Sequence, residues 1–184
     1  MNSKSVILTT IGFMCLGITV GINDLATAGW INGTSGFGDA AVFALGSVTL
    51  GVIAILALLH GTRVIDGIIF FGGAAFFWTV HQLGADAGGV NAAAGWFYLL
   101  WALFFFYLWL ASFKSGWARM LLLLAAWIAL LCDALVGWTG AVAFAYIDGY
   151  VGLYFALVAL YLSAAEIINH GYNRTVLQTG SKSS

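Results

Sequence analysis

Three ionisable side chains stand inside or at the edge of long apolar runs: Asp24, His81 and Asp133. In hydrocarbon such groups are costly, and they are held by a partner or by a water-filled path. An unperturbed histidine changes charge between about pH 5 and pH 8, so His81, alone or paired with Asp133, is a candidate pH sensor or gate. Asp24 is a third candidate for that role. Each also has a plainer reading: an interhelical hydrogen bond for His81 and Asp133, interfacial exposure for Asp24. Glu166 and His170 are spaced i, i+4. They can pair with each other or with Arg174, or simply cap a helix at the interface. Asp66, beside Arg63, reads as a negative charge favouring a helix start, and His60 as a solvated interfacial residue. Ala74, Trp78 and His81 follow i, i+4, i+7 spacing, so a path that meets His81 would also meet the other two. Trp127 and Asp133 are six positions apart, about 240° around a helix of 3.6 residues per turn. They cannot both face one narrow axis.

The elements that must position these groups follow from composition. Of the 184 residues, 62% are hydrophobic and 7% charged, against about 25% charged in soluble domains. The natural solvent is a lipid bilayer. A net charge of −1 without a basic patch excludes a nucleic-acid partner. About 20 apolar residues cross the hydrocarbon as a helix, and six runs qualify: 6–24, 40–59, 64–84, 92–113, 117–138 and 146–169. Spanning strands would instead alternate over segments of about ten residues. The expectation is an all-α membrane protein with a six-helix domain over residues 1–170 and a polar tail over 171–184. The run after Lys4 is read as the first spanning helix, since further apolar runs follow it where a signal peptide would end. No proline occurs, so the 24 glycines must supply any break or close helix contact.

Charge sets the expected orientation. Lys4, Arg63, Lys114, Arg119, Arg174 and Lys182 are all assigned to one side of these spans, whereas Asp39, Asp86 and Asp148 are assigned to the other. By the positive-inside rule both termini are cytoplasmic, in a cell (inner or plasma) membrane. The same assignment leaves no cation inside the bundle to clamp an anion, and no lysine for a Schiff base. There is no Cys/His ligand spacing, no haem-type His pair, no Ser/His/Asp set and no phosphate loop. No metal, cofactor or enzymatic activity is expected. Cys15 and Cys132 read as packing residues, and Trp30, Trp96, Trp117, Trp138, Tyr146 and Tyr150 as an aromatic belt. The Asn32-Gly-Thr and Asn173-Arg-Thr triplets are read as unused glycosylation patterns.

The last helix and tail, GYVGLYFALVALYLSAAEIINHGYNRTVLQTG from Gly149 to Gly180, carry a specific pattern. A glycine-rich helix is followed by Glu166, Asn169 and Arg174-Thr175-Val176-Leu177-Gln178-Thr179-Gly180. This resembles the acetate uptake transporter family, or succinate–acetate permeases, whose members end in a glutamate, an asparagine and a G-R-T-x-L-P-x-G tail. The segment YLLWALFFFYLWLASFKSGWARMLLLL and Phe76-Phe77-Trp78 are also similar. The family's N-terminal N-P-A-P-L-G-L is not matched: Asn2-Ser3-Lys4-Ser5-Val6-Ile7-Leu8 stand there, and only Gly12-Phe13 fits the end of the pattern. A divergent member is implied.

The resemblance implies a central pore within each protomer, assembly as a homohexamer, and transport of acetate, succinate or similar small monocarboxylates, proton-linked or pH-sensitive. It implies a mid-membrane constriction on helices 1, 3 and 5, which by position is Phe13, Ala74 and Trp127. Thr19, Asn23, Trp78 and Trp127 are candidate hydrogen-bonding groups for the permeant. An electrostatic alternative stays open. Acidic residues near the outer mouth with no internal cation also suit a neutral or cationic solute such as ammonia/ammonium or urea.

Overall fold

The computed structural model describes residues 3–31, 39–61, 63–83 and 91–180. Asn32, Asp86 and Lys182 lie outside the described residues. Among those described there is no strand, and six α-helices follow one another: α1 (Ser3–Thr27), α2 (Asp39–Leu59), α3 (Val64–Leu83), α4 (Ala92–Ala111), α5 (Trp117–Thr139) and α6 (Val142–Gly171). Each is long and apolar enough to cross a membrane, and the chain is a multi-pass membrane protein. Helices suit such a sequence because lipid offers no partner to backbone N–H and C=O groups, and a helix satisfies them internally.

Local chemistry marks several ends. Asn91 caps α4, its side-chain oxygen accepting from the N–H groups of Ala93 and Ala94, as N-cap residues do. Gly140 adopts a left-handed conformation (φ 67°) and its N–H bonds to Val136 O, the usual glycine stop for a helix. Only Gly140 and Ala141 separate α5 from α6. The last helix therefore starts at Val142 instead of the expected residue 146, which places Asp148 in its second turn.

The helices form a ring in the order α3, α2, α1, α6, α5, α4, and α4 returns to α3 through a lighter seam. Small residues set the tight seams. Gly149 lies against the Ala28 backbone, Gly152 against the Asp24 carboxyl group, and Gly137 against the Gly95 backbone. The α3–α4 seam is aromatic instead: Phe76 meets Phe97, Tyr98 and Trp101 at centroid distances of 6.3, 6.3 and 5.6 Å. The end of α1 and the start of α6 thus share one end of the bundle. Arg119 near the start of α5 contacts Asp66 near the start of α3 and Glu166 near the end of α6, which defines the opposite, basic end.

The tail folds back under that basic end. The Asn169 side chain donates to Leu177 O at 2.8 Å and accepts from the N–H groups of Val176 and Leu177 at 2.7 and 2.8 Å. Tyr161 Oη donates to Gln178 O, and Ala118 N–H donates to Thr179 O. Gly180 rests against Trp117, whose ring lies 5.8 Å from that of Tyr161. The sequence predicts only a polar tail here. Its backbone, from Val176 to Thr179, is hydrogen-bonded to α5 and α6.

Candidate functional site

A cavity of about 310 Å³ lies inside the ring, toward the end opposite the basic one. Each helix presents a spaced stripe to it. Helix α1 gives Leu16, Val20, Asn23, Asp24 and Thr27; α3 gives Ile69, Gly73, Phe76, Phe77 and Val80; α5 gives Ala126, Ala129, Leu130 and Asp133. Helix α6 adds Asp148, Gly152 and Phe155, α4 adds Tyr98 and Phe105, and α2 adds Phe43. These are the i, i+3/i+4, i+7 spacings of single helix faces. The wall is mainly aliphatic and aromatic, and its polar groups are carboxyl, amide and hydroxyl.

Those polar groups cluster. Asn23 Nδ2 donates to Asp24 Oδ1 at 2.8 Å, and Thr27 Oγ1 donates to Asn23 O at 3.3 Å. Asp133 from α5 and Asp148 from α6 both line the cavity. Asp24 comes to the same cluster from α1, held close to α6 because Gly152 has no side chain to displace it.

The structure sorts the residues singled out in the sequence. Asn23, Asp24 and Asp133 line the cavity. His81 does not join Asp133: its ring lies beside Trp78 at 6.0 Å, and Trp78 is 49% exposed on the outside of the bundle. The lining stripe of α3 is Gly73, Phe77 and Val80. Each lies one position before Ala74, Trp78 and His81, about 100° around the helix. Ala74 is buried and faces Gly51 of α2. Thr19 packs on Gly46 of α2. Trp127 turns to α4, its ring 5.4 Å from Phe106 and 6.0 Å from Trp109, while Asp133 takes the inward side of α5. Asp148, expected only as an acidic residue at the outer end of the last helix, is the acidic cavity residue that the sequence did not single out.

Between the cavity and the basic end the bundle is closed by aromatic packing. Phe13 and Phe70 are fully buried and meet edge to face at 5.0 Å. The Phe70 ring covers Gly12, where a side chain would collide with it. Beyond this pair, the Arg119 guanidinium lies 5.7 Å from the Phe13 ring, a cation–π distance.

Arg119 overturns the expectation that no cation sits within a span. It is completely buried in α5 and makes a two-pronged contact with Asp66: Nε to Oδ1 at 2.7 Å and Nη2 to Oδ2 at 2.9 Å. Nη2 also donates to Glu166 Oε1 at 3.1 Å, and Arg63 Nη1 approaches the same oxygen at 3.6 Å. Asp66 is therefore the buried partner of an arginine 53 positions away and does more than favour a helix start. Glu166 bonds to Arg119, where a pairing with His170 or Arg174, or a simple interfacial cap, was expected. Arg174 and Thr175 are exposed, and Asn169 anchors the tail. Burial is affordable here because the guanidinium fork and the carboxylates satisfy one another.

No family model and no curated protein sequence matches the chain. Among solved structures, the fold is similar to that of the bacterial acetate channel SatP, with a TM-score of 0.83 and 20% sequence identity over 94% of this chain and 98% of that one.

Proposed function

We propose that this chain is a channel or transporter for small monocarboxylates such as acetate, a divergent relative of the acetate uptake transporters. The observation that carries the reading is a cavity of about 310 Å³ in a ring of six helices whose fold is that of an acetate channel. That volume is at the low end for ligand pockets and suits a small solute. Both termini face the cytoplasm, which puts the carboxyl cluster on the outer side, and copies assemble as a homohexamer in the cell membrane. Phe13 and Phe70 form the constriction. Asn23, Thr27 and Tyr98 offer hydrogen bonds to the permeant.

Electrostatics makes the transport acid-favoured. Among the described residues the cavity's ionisable groups are Asp24 on α1, Tyr98 on α4, Asp133 on α5 and Asp148 on α6, and no cation lines it. Two like charges about 4 Å apart repel by roughly 4 kcal/mol at an effective dielectric constant near 20. A bare carboxylate is therefore rejected while the three aspartates are ionised. Lowering the outside pH adds protons to the cluster and to the permeant, and both changes remove repulsion. The sign follows: uptake rises as outside pH falls.

The test is uptake of labelled acetate into proteoliposomes at outside pH values from about 7 to about 5. Uptake should rise several-fold over that range in the parent protein, and Asp133→Asn should flatten the rise. His81→Ala serves as the comparison, since His81 lies off the cavity lining. A pH-independent acetate flux, or a flux of ammonium or urea in place of acetate, would overturn the proposal.

A further inference from the structure

The inner side of the Phe13–Phe70 pair holds polar atoms that the fold itself does not use. Arg119 is fully buried, and while Nε and Nη2 are engaged by Asp66 and Glu166, Nη1 has no hydrogen-bond partner among the described residues. Thr9 is also fully buried, and its Oγ1 has no partner either. Thr9 precedes Phe13 by four positions on α1, so the two side chains share one helix face. Arg119 reaches the same Phe13 ring from α5. A hydroxyl and a guanidinium N–H, both buried and unpaired, thus flank one aromatic side chain from two helices. Buried polar groups in folded proteins are nearly always paired, and exceptions call for an explanation.

We infer that Thr9 Oγ1 and Arg119 Nη1 form an inner carboxyl subsite, which receives the permeant's carbonyl oxygen once it has passed Phe13. The inference rests on the monocarboxylate reading above. Charge decides which form is bound. Arg119 and Arg63 stand against Asp66 and Glu166, so the four formal charges cancel and the subsite presents donors without a net positive charge. Such a site recognises an acceptor oxygen more than an anion, and it fits a small carboxylic acid carried with its proton. It also gives the buried ionic cluster a part in transport: Asp66 and Glu166 hold the guanidinium so that its third nitrogen stays directed away from them.

The test is the concentration dependence of acetate uptake into proteoliposomes for the parent protein, Thr9→Val and Thr9→Ser. Valine keeps the shape of threonine and removes the donor. One lost hydrogen bond predicts a half-saturating acetate concentration raised roughly fivefold, with the maximal rate within about twofold of the parent. Thr9→Ser should restore the parent value. An unchanged half-saturation in Thr9→Val, with the parent active, overturns the subsite and leaves the transport reading standing. So does a serine variant as impaired as valine, because that would make the effect one of packing. A parent protein that takes up no acetate refutes the transport reading itself.

Discussion

Replacing Asp66 with alanine isolates the Arg119 cluster. The change removes two short contacts, at 2.7 and 2.9 Å, between side chains that are both 0% exposed. It leaves Arg119 with Glu166 at 3.1 Å as its remaining carboxylate. Removing one partner of a buried ion pair typically costs about 3–5 kcal/mol. The surviving Glu166 contact places the expected loss at the lower end, about 3 kcal/mol, which is roughly a hundredfold in the folded-to-unfolded ratio. The complementary variant, Arg119→Met, strands the Asp66 carboxylate and leaves Glu166 with Arg63 at 3.6 Å, and should cost at least as much. The double variant Asp66→Ala/Arg119→Met removes both partners and should lose much less than the sum of the two single losses. The cycle is measured by reversible unfolding in mixed micelles titrated with sodium dodecyl sulfate, followed by tryptophan fluorescence. A coupling energy of about 2 kcal/mol or more is expected from the single and double variants. A loss under about 1 kcal/mol for Asp66→Ala, or additive losses in the double variant, would refute the argument. Either result would mean that water screens the cluster at the basic end despite its burial.

Three further outcomes are expected. Gly152→Ala places a methyl group where the Asp24 carboxyl group sits; overpacking of this kind costs about 1–3 kcal/mol, and acetate uptake should fall at least tenfold while the protein remains extractable as a folded species. Asn169→Ala removes three of the hydrogen bonds that anchor the tail, each worth about 1 kcal/mol, so trypsin should cut after the exposed Arg174 at least tenfold faster than in the parent. Trp127→Phe should leave acetate uptake within about twofold of the parent, since its ring packs on Phe106 and Trp109 of α4; a collapse of uptake would return Trp127 to the permeation path.

The number and order of the helices could be read from the sequence because each apolar run is long enough to cross a membrane and ends at polar or glycine-rich residues. One boundary misled. Thr139–Ala145 reads as a loop, but Gly140 and Ala141 suffice to turn the chain, and Asp148, expected at the outer end of the last helix, lies in its second turn and lines the cavity. Rotation about the helix axes was harder still. A helix that is apolar on every side carries little sign of which face looks inward, and so Ala74, Trp78 and His81 were selected where Gly73, Phe77 and Val80 line the space. Arg119 was placed with the interfacial basic residues because charge segregation says which end a residue occupies and nothing about its burial. Its partners lie 53 and 47 positions away in the chain, and no local pattern announces them. Asp24 and Asp133 were found because ionisable groups in apolar runs stand out individually, whereas their meeting with Asp148 depends on how the helices pack.

The aromatic seam between α3 and α4 has a mechanical consequence. Elsewhere the ring is drawn together where glycines let backbones touch, as at Gly137 and Gly149, and such joints have no slack. Here Phe76, Phe97, Tyr98 and Trp101 meet ring to ring, and rings can tilt or slide by an ångström or so without breaking a directional bond. Phe76 and Tyr98 also face the cavity. Swelling of that space to admit a guest would be taken up along this one compliant flank, leaving the glycine-stitched flank as the rigid back of the barrel.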